Sequence, residues 1–454
     1  MSLLNSLLVL TAQTDNGAVT NESTLNSCLD LFFIAWSSRN MDESTIIQMF
    51  THAYNEDSKT ALKILFRARD IRSGAGERRF FRCIWKYICN QKQDIGNRLS
   101  KYIPEYGRWD DMFEYQSQIT FDLIKQWLDK WDWLLAKWLP RKWKFANAVC
   151  SRLSLTPKQY RKLIVLLTKV VETQMCEKKR NQISYKNIPS VALNKYRNAW
   201  YRNDETRFTQ YIEDVNNNKV TMNWEALYPY QVYRNFQEWN ADLIQAQRNN
   251  LADYWWNWDI LPVIDVSWSM YWWWSNIQPI EVSISLWVYL AEKIKWKFQD
   301  HFISFDWYPR LHKLSWNIID KFNQVKKSWI DMSTNLQWVF DLLLKVAKRD
   351  WLKQDDMPSK LLVISDMEFN ECWCDSNFNE IKRKYLESWY ELPYIVFWNV
   401  NWRKWNNPST SSEYVWMVSW ASPSVIKWIL SDNIKTPIDL MNEIVNSERY
   451  KVIE

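Results

Sequence analysis

The sequence predicts two parts of different class: a helical, basic region over residues 1–255, and a doubly wound α/β domain over residues 256–454. Three observations carry this division. Apolar residues recur at three- and four-residue spacings through the first part, with strand-like alternation scarce. In the second part, short apolar runs ending in an acid alternate with helical stretches. The charge also changes sign. Residues 1–250 carry 36 Lys and Arg against 26 Asp and Glu, a net of +10, and residues 251–454 carry 22 against 26, a net of −4.

In the first part, Ala61-Leu-Lys-Ile-Leu-Phe-Arg-Ala-Arg69, the segment Arg79–Ile88 and the segment Tyr160–Val171 have amphipathic helical spacing. Breakers stand between such stretches at Pro104, Pro140, Pro157 and Pro189. No clean repeat period emerges, so a solenoid of HEAT type and a bundle both remain open. In the second part the order is strand Ile260–Asp265, helix Pro279–Ile294, strand His301–Phe305, helix Thr334–Ala347, strand Lys360–Asp366 and a helix near Asn377–Glu387. Strands at Tyr394–Phe397 and Tyr414–Val418 follow, then helices near 423–430 and 437–446. Such alternation places helices on both faces of a largely parallel sheet, and ligands of such sheets bind beyond the carboxyl ends of the strands.

Composition excludes several classes. No run approaches the roughly 18 apolar residues of a membrane span, and the N-terminal Met1–Leu10 lacks the basic start of a secretory signal. Seven scattered cysteines fit a reducing cytoplasm better than a disulfide framework, and three distant histidines leave no Cys/His zinc constellation. Cys83 and Cys89 read as packing residues, and Cys372-Trp-Cys374 as free thiols on a loop.

One feature of the composition is abnormal. The chain has 33 Trp and 5 Gly, where about 7% Gly is usual. All five glycines, at 17, 74, 76, 96 and 107, lie in the first quarter. Turns and helix ends need residues with positive φ, which Trp supplies poorly. UGA is read as glycine in some genetic codes and as tryptophan in others, so many tryptophans here are expected to stand for glycine. Trp268, Trp272, Trp287, Trp307 and Trp420 are the first candidates, whereas Trp109, Trp138 and Trp329 read as ordinary tryptophans.

The two strand-end acids gain meaning from their neighbours. Asp265 is followed by hydroxyls at Ser267 and Ser269, Thr334 opens a helix after a polar loop, and Asp366 ends a later strand. Two carboxylates and three hydroxyls at one sheet edge make an all-oxygen site suited to Mg²⁺ or Mn²⁺. Few protein charges would leave the ion electrophilic, with a position for an acidic group from a partner. The alternative is that the serines merely cap the following helix and Asp265 accepts backbone hydrogen bonds.

Asp265-Val-Ser-Trp-Ser269, Ser333-Thr-Asn335 and Ser365-Asp366 resemble the metal-ion-dependent adhesion site of von Willebrand factor A domains. Trp268 departs from the D-x-S-G-S pattern at its glycine, where an indole would crowd the metal loop. Arg69-Asp-Ile-Arg-Ser-Gly-Ala-Gly-Glu-Arg78, Ile103–Asp110, Tyr185–Ser190 and Asp366-Met-Glu-Phe369 resemble an uncharacterised family known only as a domain of unknown function. Its members join a helical N-terminal region to a C-terminal A-type domain. That architecture is similar to the TROVE-type Ro ribonucleoproteins, and the resemblance implies an RNA or ribonucleoprotein partner.

The basic region offers a separate indication. Residues 151–200 carry 11 Lys and Arg against 2 Asp and Glu. Lys158, Arg161, Lys162, Lys178, Lys179 and Arg180 are candidate phosphate contacts, joined by Arg72, Arg78 and Arg79 if the helices curve into a ring, with Tyr160, Tyr185 and Tyr196 placed to stack on unpaired bases. The other reading is a solvated helical surface whose tyrosines are core. Ser73-Gly-Ala-Gly-Glu-Arg78 lacks the Gly-Lys-Ser/Thr ending and preceding strand of a phosphate loop, and reads as a turn between helices. Together these features point to a cytoplasmic, non-enzymatic, Mg²⁺-assisted binding protein for RNA or a ribonucleoprotein. The alternatives are a protein-binding adaptor that grips an acidic partner and a metal-dependent hydrolase.

Overall fold

The computed structural model describes residues 11–13, 19–21, 23–38, 41–113, 117–168, 171–177, 180–220, 229–237, 241–249, 260–271, 278–293, 298–305, 308–315, 318–327, 335–369, 377–400, 415–419 and 436–453. A short antiparallel pair, β1 (Thr11–Gln13) and β2 (Val19–Asn21), precedes the helices. The principal helices of the first part are α1 (Ser27–Ser37), α2 (Glu43–Glu56), α3 (Ser58–Arg69), α4 (Arg78–Gln91), α5 (Gln118–Asp129), α6 (Pro157–Leu167), α7 (Arg197–Asn216) and α8 (Pro229–Gln237). Their starts carry the expected chemistry. Asp42 and Asp57 accept backbone N–H bonds at the heads of α2 and α3, and Thr156 forms a capping box with Gln159 ahead of Pro157.

The second part is built on a sheet in the order β5-β4-β3-β6-β7-β8. The strands are β3 (Ile260–Asp265), β4 (His301–Phe305), β5 (Leu311–Lys313), β6 (Lys360–Ser365), β7 (Tyr394–Asn399) and β8 (Val415–Ser419). All neighbouring pairs are parallel except β4 and β5, which form an antiparallel hairpin at the edge. Every residue of β3 and β6 is buried, as central strands covered on both faces require. The helices here are α9 (Pro279–Lys293), α10 (Ile318–Lys327), α11 (Leu336–Arg349), α12 (Asn377–Glu387) and α13 (Pro437–Val445). The predicted helix near 423–430 falls outside the described residues. No helix among the described residues is long and apolar enough to cross a membrane.

Alternate side chains of the sheet enter two separate cores, following the period of two along a strand. Leu261, Val263, Leu361 and Val363 join α11, α12, α13 and the helices between residues 28 and 167. Ile260, Ile264, Leu362 and Ile364 join α9, α10 and the segment from Tyr185 to Ala246. Both cores therefore cross residue 255. Arg234 of α8 pairs with Glu281 of α9 at 2.8 Å. At the C-terminus, the fully buried Asp70 accepts bonds from the Arg449 guanidinium and from the Tyr450 hydroxyl at 2.9 Å, and the Tyr106 hydroxyl donates to the Arg449 carbonyl.

Three tryptophans occupy glycine geometry. Trp131, Trp351 and Trp389 have φ of 60°, 51° and 60°, one residue beyond the caps of α5, α11 and α12. After each, the next amide reaches back six residues, Asp132 to Trp127, Leu352 to Ala347 and Tyr390 to Tyr385, at 3.1, 3.0 and 3.3 Å. That is the Schellman ending, whose left-handed residue is ordinarily glycine. Their indoles are 66%, 90% and 96% exposed, so packing does not account for them. Of the tryptophans first suspected, Trp287 is buried in the middle of α9, and Trp272, Trp307 and Trp420 lie outside the described residues. Trp109 is buried core, as an ordinary tryptophan should be, and Trp329 lies outside the described residues.

The loop of residues 70–77 is a tight turn. A Cβ on Gly74 would stand 2.1 Å from the Arg67 carbonyl oxygen. The amides of Gly74, Ala75, Gly76 and Glu77 donate to carbonyls of Asp70, Arg67, Asp70 and Ala68, at 2.7–3.1 Å. With its amides committed inward, this loop has no cradle for a phosphate.

Candidate metal centre at the carboxyl edge of the sheet

β3 and β6 are adjacent and parallel, with Ile264 opposite Ile364, so Asp265 and Asp366 emerge together at one end of the sheet. Both carboxylates are buried. Asp265 Oδ1 accepts the Ser267 amide at 2.8 Å, and its Oδ2 accepts the Ser365 hydroxyl at 2.5 Å. The Ser267 and Ser269 hydroxyls lie 2.9 Å apart on a short 3₁₀ turn, Trp268–Tyr271. Asp366 Oδ1 accepts the Glu368 amide at 3.2 Å, and Met367 between them has φ of 66°. Burial, followed by the neighbouring Asp366 charge, pushes the Asp265 carboxyl up to about 7.

Two buried carboxylates this close repel each other unless a proton or a cation lies between them. The residues present fit a hard divalent ion: two acids, two hydroxyls that already converge, and a sheet edge where ligands bind. Thr334, the third predicted hydroxyl, falls outside the described residues. The neighbouring Asn335 caps α11 by accepting the Trp338 amide at 3.3 Å. Among the described residues, no group of three or more His, Cys, Asp or Glu is arranged to hold a metal, so a site here depends on hydroxyl ligands. Trp268 does not crowd the loop as expected, because its indole is 51% exposed and its φ is ordinary.

Sequence reasoning missed two participants. Ser365 bridges the Asp265 carboxylate and the Met367 amide, and Glu368 is a third buried acid two residues beyond Asp366. Both stand inside quoted motifs, yet nothing in their spacing reveals that a strand 100 residues away turns Ser365 toward Asp265. His312 lies on β5 with its Nε2 3.0 Å from the Ser304 hydroxyl, in keeping with a strand residue.

The predicted nucleic-acid contacts divide. Lys158, Arg161 and Lys162 share the exposed face of α6. Lys178 and Lys179 lie outside the described residues, and Arg180 opens a 3₁₀ turn, Arg180–Gln182. Arg72 donates to the Glu105 carbonyl and Arg78 to Asp110. Arg79 is a brace, donating to the carbonyls of Ser38 at 2.9 Å and Met41 at 2.5 Å. The stacking expectation fails for two tyrosines, because apolar packing claims their rings. Tyr160 is 1% exposed, with its hydroxyl on the Pro140 carbonyl at 2.8 Å, and Tyr185 is 5% exposed, donating to Asp204 at 2.6 Å. Tyr196 is half-buried and bonds Glu172 at 3.2 Å. Cys83 and Cys89 are buried as packing residues, while Cys372 and Cys374 lie outside the described residues.

The fold is thus a helical body closed around a mostly parallel α/β sheet with an acid-and-hydroxyl loop at its carboxyl edge. Comparison with known proteins places the chain beside uncharacterised ones. Two domains of unknown function match, DUF7788 over residues 259–451 and DUF2828 over residues 14–91 and 150–268. The uncharacterised protein L728 of Acanthamoeba polyphaga mimivirus is 27% identical, over 95% of this chain and 86% of that one. Among solved structures, the Ro (RSR) protein of Deinococcus radiodurans aligns over 89% of this chain and 99% of that one, with a TM-score of 0.40 and 10% identity.

Proposed function

We propose that this is a non-enzymatic binding protein that grips a carboxylate-bearing protein partner through a Mg²⁺ or Mn²⁺ ion at the sheet edge. The observation that supports it is the side-by-side burial of Asp265 and Asp366 beneath the paired hydroxyls of Ser267 and Ser269. Those four residues, with Thr334 from the loop before α11, would hold the ion, and Ser365 and the Ser267 amide orient Asp265. Bound there, the ion would supply an electrophilic position for an acidic oxygen. A hydroxyl-rich donor set suits reversible capture, because it leaves most of the ion's charge for the incoming group. The resemblance to A-type domains agrees with this use.

The test is calorimetric titration of the full chain with Mg²⁺ and Mn²⁺. Binding is expected in the wild type and absent in Asp265→Ala, with the circular dichroism spectrum retained. Wild-type protein that takes up neither ion would end the proposal. RNA is the second reading, resting on the exposed Lys158, Arg161 and Lys162 and on the resemblance to Ro-type architecture. If it holds, RNA affinity should fall steeply with salt and collapse when all three are changed to Glu. Burial of Tyr160 and Tyr185 is why the protein partner takes precedence.

A further inference from the structure

We infer that Arg78 and Arg108 form a second binding site, for a phosphate-type oxyanion, on the helical body. Six charged side chains meet where the end of α3, the head of α4 and the turn at residues 108–111 converge. Asp111 is fully buried and accepts Arg69 Nε at 2.6 Å, Arg82 Nε at 2.8 Å and the Arg108 amide at 2.9 Å. Arg78 Nε lies 3.8 Å from the same carboxylate. Asp110 is shared by Arg78 and Arg82, the latter at 2.9 Å. Four guanidinium groups therefore surround two carboxylates, leaving this cluster with an excess of two positive charges.

The arrangement separates support from reach. Arg69 is 2% exposed and Asp111 is buried, so they form the floor. Arg78 and Arg82, four residues apart on one face of α4, rise from it, and Arg78 is 45% exposed. Arg108 is exposed, with its guanidinium over the Trp138 ring at 4.9 Å. A guanidinium stacked by its face has its N–H groups in the ring plane, directed sideways to an incoming acceptor. Partial burial and the neighbouring Arg69 and Arg78 depress the Arg108 pKa, an electrostatic cost that a bound anion would relieve.

The excess of positive charge fits a phosphate, which carries about −1.5 to −2 as a monoester and offers several acceptor oxygens. Because the amides of residues 74–77 are all committed inside the turn, recognition must come from the side chains. This site does not depend on the metal centre, since none of its residues belongs to the sheet.

The experiment uses the full chain in metal-free buffer, titrated calorimetrically with inorganic phosphate and, separately, with a short single-stranded RNA. Phosphate should bind, and Arg108→Gln should weaken it at least ten-fold without changing the circular dichroism spectrum. Arg78→Gln should do the same, and if that variant misfolds, Arg108→Gln decides. Asp110→Asn should strengthen binding several-fold, because it removes a competing carboxylate; a purely structural ion-pair network has no reason to respond so. Loss of RNA binding in the same variants would assign backbone phosphates as the source, and RNA binding that is absent or unchanged would assign a small phosphate. Asp265→Ala should leave both titrations intact, which separates this site from the metal centre. Wild-type protein without a phosphate response, or Arg108→Gln and Asp110→Asn that titrate like wild type, would overturn the inference.

Discussion

Replacing Trp389 by glycine should make the protein more stable, although it deletes the largest side chain. At φ of 60° a residue with a Cβ crowds its own backbone, at a cost of about 1–2 kcal/mol. Glycine removes that cost and pays back about 0.5–1 kcal/mol in unfolded-state entropy. The lost burial is small. At 96% exposure the indole buries about 10 Å², roughly 0.3 kcal/mol at ~25 cal/mol per Å². The net expectation for Trp389→Gly is a gain of about 0.5–1 kcal/mol, and Trp351→Gly, 90% exposed, should gain slightly less. Trp131 differs, because it is only 66% exposed. Its buried third, about 80 Å², is worth roughly 2 kcal/mol, so Trp131→Gly should be neutral or mildly destabilising. Urea titration resolves these shifts as changes in midpoint with an unchanged slope. Trp351 and Trp389 should not be strictly additive, because the Tyr390 hydroxyl bonds the Leu352 and Ala347 carbonyls and ties the two turns together. Trp389→Ala is the control: it removes the indole yet keeps a Cβ, and should bring no gain. Destabilisation by Trp389→Gly beyond 1 kcal/mol would refute the assignment of these turns to glycine. The same assignment requires the mass of the protein from its own cell to lie well below the 55.3 kDa of this sequence.

Metal affinity should depend on pH in a direction set by Asp265. Its carboxyl is raised to about 7, and only the deprotonated form coordinates, so Mg²⁺ binding should weaken progressively as pH falls below that value and level off above it. Calorimetric titrations between pH 5.5 and 8, in buffers chosen about those roughly neutral values, would show it, and a flat profile would deny Asp265 the role of ligand. Asp70→Ala should cost about 2–3 kcal/mol by denaturant titration, because it leaves the Tyr450 hydroxyl and the Arg449 guanidinium without their shared acceptor. A loss below 0.5 kcal/mol would show that water replaces the carboxylate at this joint.

Periodicity in the sequence determined most of the second part. β3, β4 and α12 begin and end where the pattern places them, because a fully buried parallel strand and an amphipathic helix each write a distinct local signal. The acids at the ends of β3 and β6 were equally legible, since a doubly wound sheet confines its ligands to that edge. Parallel pairing alone, however, decided that Asp265 and Asp366 lie side by side, and it brought in Ser365, whose hydroxyl reaches Asp265 across a separation of 100 residues. The helical body was harder to read. Alternating basic and aromatic residues look alike whether a ring meets solvent or core, and packing placed Tyr160 and Tyr185 inside. Likewise, composition announced a shortage of glycine but not its location. That required the left-handed backbone after α5, α11 and α12, because a Schellman ending is defined by dihedral angles and a six-residue hydrogen bond, neither of which a run of letters contains.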